Sequence, residues 1–238
     1  MKKLTLEKIL QSQGFGTKKS CRYMVLDGLV EVDGAVVNDV RAEFDPMDNG
    51  GLKFTVDGEP WQYREHVYLA LNKPTGVECS RRPAVHRGVL SLLPDPFTAR
   101  DVQPVGRLDH DTTGLLLLSD DGAFIHAQSH PKRHVPKTYV ATTPEPVTPD
   151  LIAKLQTGVK LIDEPELLNA QARQVGECEI EIVLDMGKYH QVKRMLAAAG
   201  SHCVALRRTA IGQLTLESLG LAEGEWCYLD ADPLALLT

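Results

Sequence analysis

The stretch "GRLDHDTTGLLLLSDDG", residues 106–122, constrains this chain more than any other. Four consecutive leucines, Leu115 to Leu118, leave no polar face, so the segment reads as a strand covered on both sides. Its far end, Asp120-Asp121-Gly122, is ordinary turn chemistry. The near end is different: Arg107, Asp109 and Asp111 stand against the mouth of the apolar run. A carboxylate at the edge of a buried sheet is partly dehydrated and needs a cation or hydrogen bonds, because burying it bare is costly. At Asp109 such a group either caps its own loop through backbone N–H groups or serves as a nucleophile or general base.

Further buried strands are expected at "VYLALNKP", "KTYVATT" and "CEIEIVLDM". Two helices are expected among them. "TPDLIAKLQTG" has Thr148 ahead of it, Pro149 in its first turn and Gly158 at its end; "HQVKRMLAAAG" stops at Gly200. Strands outnumber helices and turns join many of them, which predicts an α+β domain on a largely antiparallel mixed sheet over residues 67–238. Residues 1–45 predict a separate small unit, an αα-hairpin followed by a β-hairpin. Its second helix would be capped by Thr17 and stopped at Asp27-Gly28, and its strands would turn at Asp33-Gly34. Residues 46–66, rich in Gly, Pro and Asp, read as a linker containing a strand.

The net charge of −6 over 238 residues argues at first against a nucleic-acid partner, but the charge is segregated. Lys2, Lys3, Lys8, Lys18, Lys19 and Arg22 face only Glu7 in the first 22 residues. Lys132, Arg133 and Lys137 stand in a segment without carboxylates, and so do Lys188, Lys193, Arg194, Arg207 and Arg208. A phosphate backbone responds to a local basic surface rather than to the sum, although ordinary solvated charge gives similar counts. No apolar stretch approaches the roughly 18 residues of a membrane span. The opening "MKKLTLEKILQSQGFGTKKS" lacks the apolar region and cleavage site of a signal peptide. Five scattered cysteines with no CxxC fit a reduced, cytoplasmic protein.

Four stretches occur in a telling order: "LNKPTG" (71–76), "VGRLDHDTTGLLLLSDDG" (105–122), "PKTYVAT" (136–142) and "GKYHQVKRMLAAAG" (187–200), followed by "VALRRTAIGQLTL" (204–216). Together they resemble the signature stretches of the RsuA/RluA class of pseudouridine synthases, and the resemblance spans essentially the whole chain. "HPKRHVPKTY" and "GKYHQVKRMLAAAG" look closest to the RsuA type, which acts on small-subunit ribosomal RNA. The first 45 residues resemble the RNA-binding domain shared with the ribosomal protein S-four.

The resemblance implies isomerisation of a uridine in ribosomal RNA, without metal or cofactor, by a monomer acting on RNA or on a partly assembled small subunit. For the RsuA type the target is uridine 516 of 16S rRNA; close relatives modify the large (23S) subunit. By resemblance, Asp109 is the catalytic aspartate and Tyr139 packs on the uracil, where it would help remove a proton. A phenol, with an ordinary pKa near about 10, is a poor base unless assisted. Lys193 would pair with Asp109, keeping it ionised. Arg107 would fill the gap left by the flipped nucleotide, Leu206 would close the uracil pocket, and Lys73 and Arg194 are further substrate-binding candidates, Arg194 toward phosphate. In the amino-terminal unit, Lys18, Lys19 and Arg22 are the RNA-binding candidates. There Thr5-Leu6-Glu7 stands where the class has Arg-Leu-Asp, and Thr17-Lys18 where it has Ser-Arg, so bidentate arginine contacts are lost while positive charge survives.

Three rivals stand beside this expectation. His126, His130 and His134 have a spacing that could gather imidazoles around zinc, but Pro131 interrupts the helix and no carboxylate shares the segment. His110 and Ser119 near the aspartates hint at a hydrolase triad, without a nucleophile elbow. A non-catalytic RNA-binding assembly factor would keep the fold, yet has no need of a dehydrated acid at Asp109.

Overall fold

The computed structural model describes residues 3–129 and 135–237. The chain divides into two compact units: residues 1–67 with 90–103, and residues 68–89 with 104–238.

In the first unit, helix α1 (Leu6–Ser12) and helix α2 (Lys18–Leu26) pack on a four-stranded antiparallel sheet. Its strands are β1 (Val30–Val32), β2 (Ala35–Val36), β3 (Lys53–Val56) and β4 (Glu59–Gln62), in the order β2-β1-β3-β4. The caps follow the sequence: the Thr17 hydroxyl accepts from the Ser20 N–H at 3.2 Å, and Asp33 and Gly34 both have positive φ, as a tight hairpin turn requires. The core joins Leu6, Ile9, Leu10, Cys21 and Val25 to Val30, Val32, Leu52 and Phe54.

Residues 46–66 are therefore not a linker. Two strands of a hairpin cannot cover a helix pair, and β3 and β4 supply the missing sheet, with Val30 paired to Val56 and Val32 to Phe54. The Gly- and Asp-rich composition is turn chemistry inside the unit: Asp57 and Gly58, both at positive φ, join β3 to β4. Residues 90–103 add to the same unit, where the Arg100 guanidinium donates to Gln13 Oε1 at 2.7 Å.

The second unit is built on strand β6 (Thr112–Ser119), which contains the leucine run. Leu115 to Leu118 are all essentially inaccessible, as a strand covered on both faces must be. Around it lie β5 (Tyr68–Lys73), β7 (Lys137–Thr142), β8 (Gln171–Gly176), β9 (Glu179–Leu184), β10 (Ala205–Ile211) and β11 (Trp226–Tyr228). They form one sheet in the order β8-β9-β7-β10-β6-β5-β11. Among the described residues, neighbours along this path run antiparallel except β6 and β10, which are parallel. Helices α3 (Gly122–Ser129), α4 (Pro149–Thr157) and α5 (Gln191–Ala198) complete the unit, which is α+β on a largely antiparallel mixed sheet. Thr148 caps α4 through the Leu151 N–H at 3.2 Å. The apolar side of α5, Val192, Met195 and Leu196, shares a core with Leu151, Leu155, Ile180 and Ile182.

The parallel pair matters for function, because it sets the beginnings of β6 and β10 side by side, Thr112 opposite Leu206. The loop before β6 and the helix before β10 thus deliver their side chains to one edge. Gly114, opposite Arg208, makes that approach possible: at φ +101 a Cβ would stand 2.2 Å from the Arg208 carbonyl oxygen. Substituting Gly114→Ala should cost about 2–4 kcal/mol of stability through strain and strand separation. Urea unfolding checks this, and an unchanged midpoint would contradict the close approach.

Candidate active site

Asp109 lies in the loop between Val105 and Thr112, and backbone hydrogen bonds shape that loop. The Thr112 N–H donates to the Asp109 carbonyl at 3.1 Å, and the Gly76 N–H donates to the His110 carbonyl at 2.7 Å. Leu108 is buried, its N–H directed at Cys79 Sγ. The main fastening is Lys73, whose ammonium donates to the carbonyls of Thr112 (2.8 Å), Pro74 (2.9 Å) and His110 (3.3 Å). Its side chain is fully inaccessible, so the expectation that Lys73 binds substrate is wrong. A lysine in "LNKP" could face in or out; here the end of β5 points it inward, and three carbonyls use its donors. Burial pushes the Lys73 ammonium below its ordinary pKa, opposed in part by charges that include Asp111 and Asp109.

With the loop held, the Asp109 carboxylate meets α5. Lys193 Nζ donates to Asp109 Oδ2 at 3.1 Å and to Asp111 Oδ1 at 2.6 Å. The expected Asp109–Lys193 pair is present, and Asp111 joins it as a second acceptor. Burial would depress the Lys193 ammonium, but the hydrogen bonds to Asp111 and Asp109 outweigh it and hold Lys193 above its ordinary pKa. Burial would likewise raise the Asp111 carboxyl; Lys193 overrides it and keeps Asp111 below the usual carboxylate range. The other oxygen of Asp109, Oδ1, lies 3.2 Å from His190 Nε2.

Asp109 opens on a cavity of about 420 Å³, within the ordinary range for ligand pockets. Tyr139 and Leu206 line it too, with Arg107 exposed and Leu108 buried. Tyr139 reaches it from β7 at an irregularity in the pairing with β10, where the register shifts between Thr138 and Tyr139. The Asp109 side chain keeps 29% of its exposure, so the cleft is partly open rather than sealed. A larger hollow, about 710 Å³, runs along β8 and β9, but Arg173 and Glu181 satisfy each other within it.

Arg194 does not join the cavity. Its guanidinium is engaged by the Asp163 carboxylate and the Tyr189 carbonyl, because its place on α5, one residue past Lys193, turns it away. Arg194, expected to serve phosphate rather than the pocket, thus stands outside it, paired to Asp163. Lys18, Lys19 and Arg22 are exposed on α2; Lys18 lies 3.7 Å from Glu7 and Lys19 stands over the Tyr23 ring.

Ser119 is buried and its Oγ accepts from the Asp121 N–H at 3.0 Å, a turn contact with no triad around it. Of the histidine series, His126 is in α3, while His130, Pro131 and His134, with Lys132 and Arg133, lie outside the described residues. Cys203, on the core beside α5, is no substitute nucleophile: burial pushes its thiol up to about 11.

Sequence reasoning passed over His190, Asp111 as an ion-pair partner, and Arg208. Arg208 is buried on β10 and lines the cavity; its Nε donates to the Leu115 carbonyl at 2.7 Å, and its Nη2 has no partner among the described residues. The signal was there in "GKYHQVKR" and "LRRT", but a motif does not say which of its polar residues turns inward.

A carboxylate held by an ammonium thus lies beside an aromatic ring and a leucine in one hollow, room and chemistry for a flat, uncharged ring next to an acid group. The sequence comparisons name the family such a site belongs to. Residues 67–198 match the RNA pseudouridylate synthase family model, and the chain belongs to that family. It is 36% identical to an uncharacterised RNA pseudouridine synthase of Bacillus subtilis over 98% of both chains. It is likewise 36% identical to the ribosomal small subunit pseudouridine synthase A of Vibrio cholerae over 98% of both chains. Identity to the Escherichia coli K12 protein of the same name is 38% over 87% of both chains. These relatives make it an RsuA-type synthase, an RNA pseudouridine synthase enzyme. A crystal structure of a pseudouridylate synthase matches with a TM-score of 0.68 at 30% identity, covering 99% of this chain and 100% of that one.

The paired charges have a definite pH window. Asp111, depressed below its unfolded value near about 3.9, contributes stability above that value and loses it as pH falls through its folded pKa; Lys193, raised above about 10.4, contributes below that value and loses it as pH rises through its folded pKa. In Lys193→Met the Asp111 carboxyl should titrate at higher pH than in wild type, followed by carbon NMR, and turnover should fall at least about tenfold. An unmoved Asp111 titration would show that the ammonium does not govern the cluster.

Proposed function

We propose that this protein converts a uridine of small-subunit (16S) ribosomal RNA to pseudouridine during subunit assembly, uridine 516 being the RsuA-type target. One observation carries the reading: Asp109, hydrogen-bonded to Lys193, opens on the cavity that Tyr139 and Leu206 also line. The names of the Vibrio cholerae and Escherichia coli relatives support the choice of subunit.

In this reading a carboxylate oxygen of Asp109 bonds covalently to the nucleotide, at the anomeric carbon of the ribose or at carbon 6 of the base. The bond from ribose to nitrogen 1 breaks, the uracil turns, and the ribose is rejoined through carbon 5. Carbon 5 gives up its proton, nitrogen 1 gains one, and Asp109 is released unchanged. Substrate and product are isomers, so no oxidant, reductant or cofactor enters the balance. Lys193 holds Asp109 through the hydrogen bond to Oδ2, Tyr139 packs on the uracil, Leu206 closes its pocket and Arg107, exposed at the rim, fills the place of the flipped base. The protein acts as a cytoplasmic monomer, and α2 of the first unit offers Lys18, Lys19 and Arg22 to RNA phosphates.

Mapping carbodiimide-reactive pseudouridine after incubation with ribosomal RNA or partly assembled particles tests the chemistry. Wild type should modify a single 16S position, and Asp109→Asn should modify none while still binding RNA. Modification of 23S RNA instead would redirect the target, and no conversion on any ribosomal substrate would end the proposal.

The role of α2 has its own test. Each neutralised phosphate contact lowers the slope of log affinity against log salt by about 0.7 for single strands. Replacing Lys18, Lys19 and Arg22 together by Gln should therefore reduce the slope by about 2. A slope equal to that of wild type would remove α2 from the RNA interface.

A further inference from the structure

We infer that His190 is a positioning residue for Asp109. It would fix Oδ1 by donating from Nε2–H as Lys193 fixes Oδ2. The inference rests on Asp109 being the nucleophile and adds a group that the reading above leaves without a role.

The geometry is specific. Lys193 takes Oδ2 at 3.1 Å and His190 Nε2 lies 3.2 Å from Oδ1, so the two oxygens of one carboxylate are distinguished by two different partners. His190 reaches this position from an unusual backbone: it precedes the first turn of α5 at φ 48, ψ 33, a left-handed conformation that a non-glycine residue adopts at a cost. Local contacts hold it there. The buried Gln191 side chain accepts from the Lys188 N–H at 2.9 Å, the Gln191 N–H donates back to the Lys188 carbonyl, and the His190 carbonyl accepts from the Arg194 N–H at 2.9 Å. Tyr189 stacks on the imidazole with ring centroids 3.8 Å apart, which limits its rotation. His190 lines the same cavity as Asp109 and Tyr139.

A carboxylate with both oxygens fixed loses rotational freedom before it attacks, and orientation of this kind is a large part of enzymatic rate. The contact is at ion-pair distance in the free protein, and such catalytic contacts tighten when substrate is bound.

Two measurements on the full chain test this. Nitrogen NMR of the free wild-type protein near pH 8 reports which imidazole nitrogen carries the proton. Nε2–H on His190 is expected, and Nδ1–H would overturn the inference with no RNA present, independently of the proposed substrate. Single-turnover conversion of the ribosomal substrate, with wild type as reference, gives the second. His190→Asn suits the left-handed backbone but falls short of Oδ1, and should lose at least about tenfold in kcat with KM within about twofold. His190→Gln, whose amide can donate from a similar position, should recover most of kcat. Melting curves check that both variants are folded. A wild-type rate in His190→Asn, no recovery in His190→Gln, or a raised KM with unchanged kcat, would overturn the positioning role. Failure of wild type itself to convert any ribosomal uridine would count against the proposed function instead.

Discussion

The ammonium of Lys73 is a charge taken fully out of water, with three backbone carbonyls in place of hydration. Burying an ion is tolerable only when its donors are used, and here two of them are directed at the turn that carries Asp109, through His110 and Thr112, and the third at Pro74. That fastening ties the end of β5 to the start of β6. It gives the Asp109 loop a shape set by the sheet rather than by solvent, as the role proposed for Asp109 requires. Asp109 and Asp111 also offset the charge of Lys73 at a distance, so the structural cation and the two carboxylates belong to one electrostatic set.

Much of this fold was legible in the chain. The leucine run gave β6, Thr17 is the cap it was expected to be, and Asp33-Gly34 is the turn its residues demand. These features depend on neighbours within a few residues. What was not legible depends on residues far apart. Composition marked 46–66 as a linker because glycine and aspartate are frequent in linkers and in tight turns alike; pairing of Val30 with Val56 decided between them. The strand run of Leu115 to Leu118 could not reveal which polar residues beside it turn inward, since a strand buried on both faces has no alternation to read.

The same limit explains the candidate site. Resemblance brought Asp109, Tyr139, Leu206 and Arg107 to one cavity, and Lys193 to Asp109. It misassigned Lys73 because a lysine in a signature carries no sign of its partner. Lys73 found carbonyls and Arg194 found Asp163. Asp111 was visible from the outset as an anomaly beside the leucines, yet only the start of α5, 82 residues away, explains it.

Asp111 also resolves a difficulty in the proposed chemistry. In that proposal the charge of Asp109 disappears when it bonds to the nucleotide, and Lys193, paired with Asp109 alone, would be left as a partly buried cation with its partner consumed. Such a loss would raise the energy of the intermediate and oppose the attack. Asp111, 2.6 Å from Lys193 and closer than Asp109, keeps the ammonium paired throughout. It is also more exposed, with 52% of its side chain accessible against 29% for Asp109, so its own charge is cheaper to maintain. On this proposal the two carboxylates divide the work by environment: one sits where a substrate can reach it, and the other holds the cation in place while the first reacts.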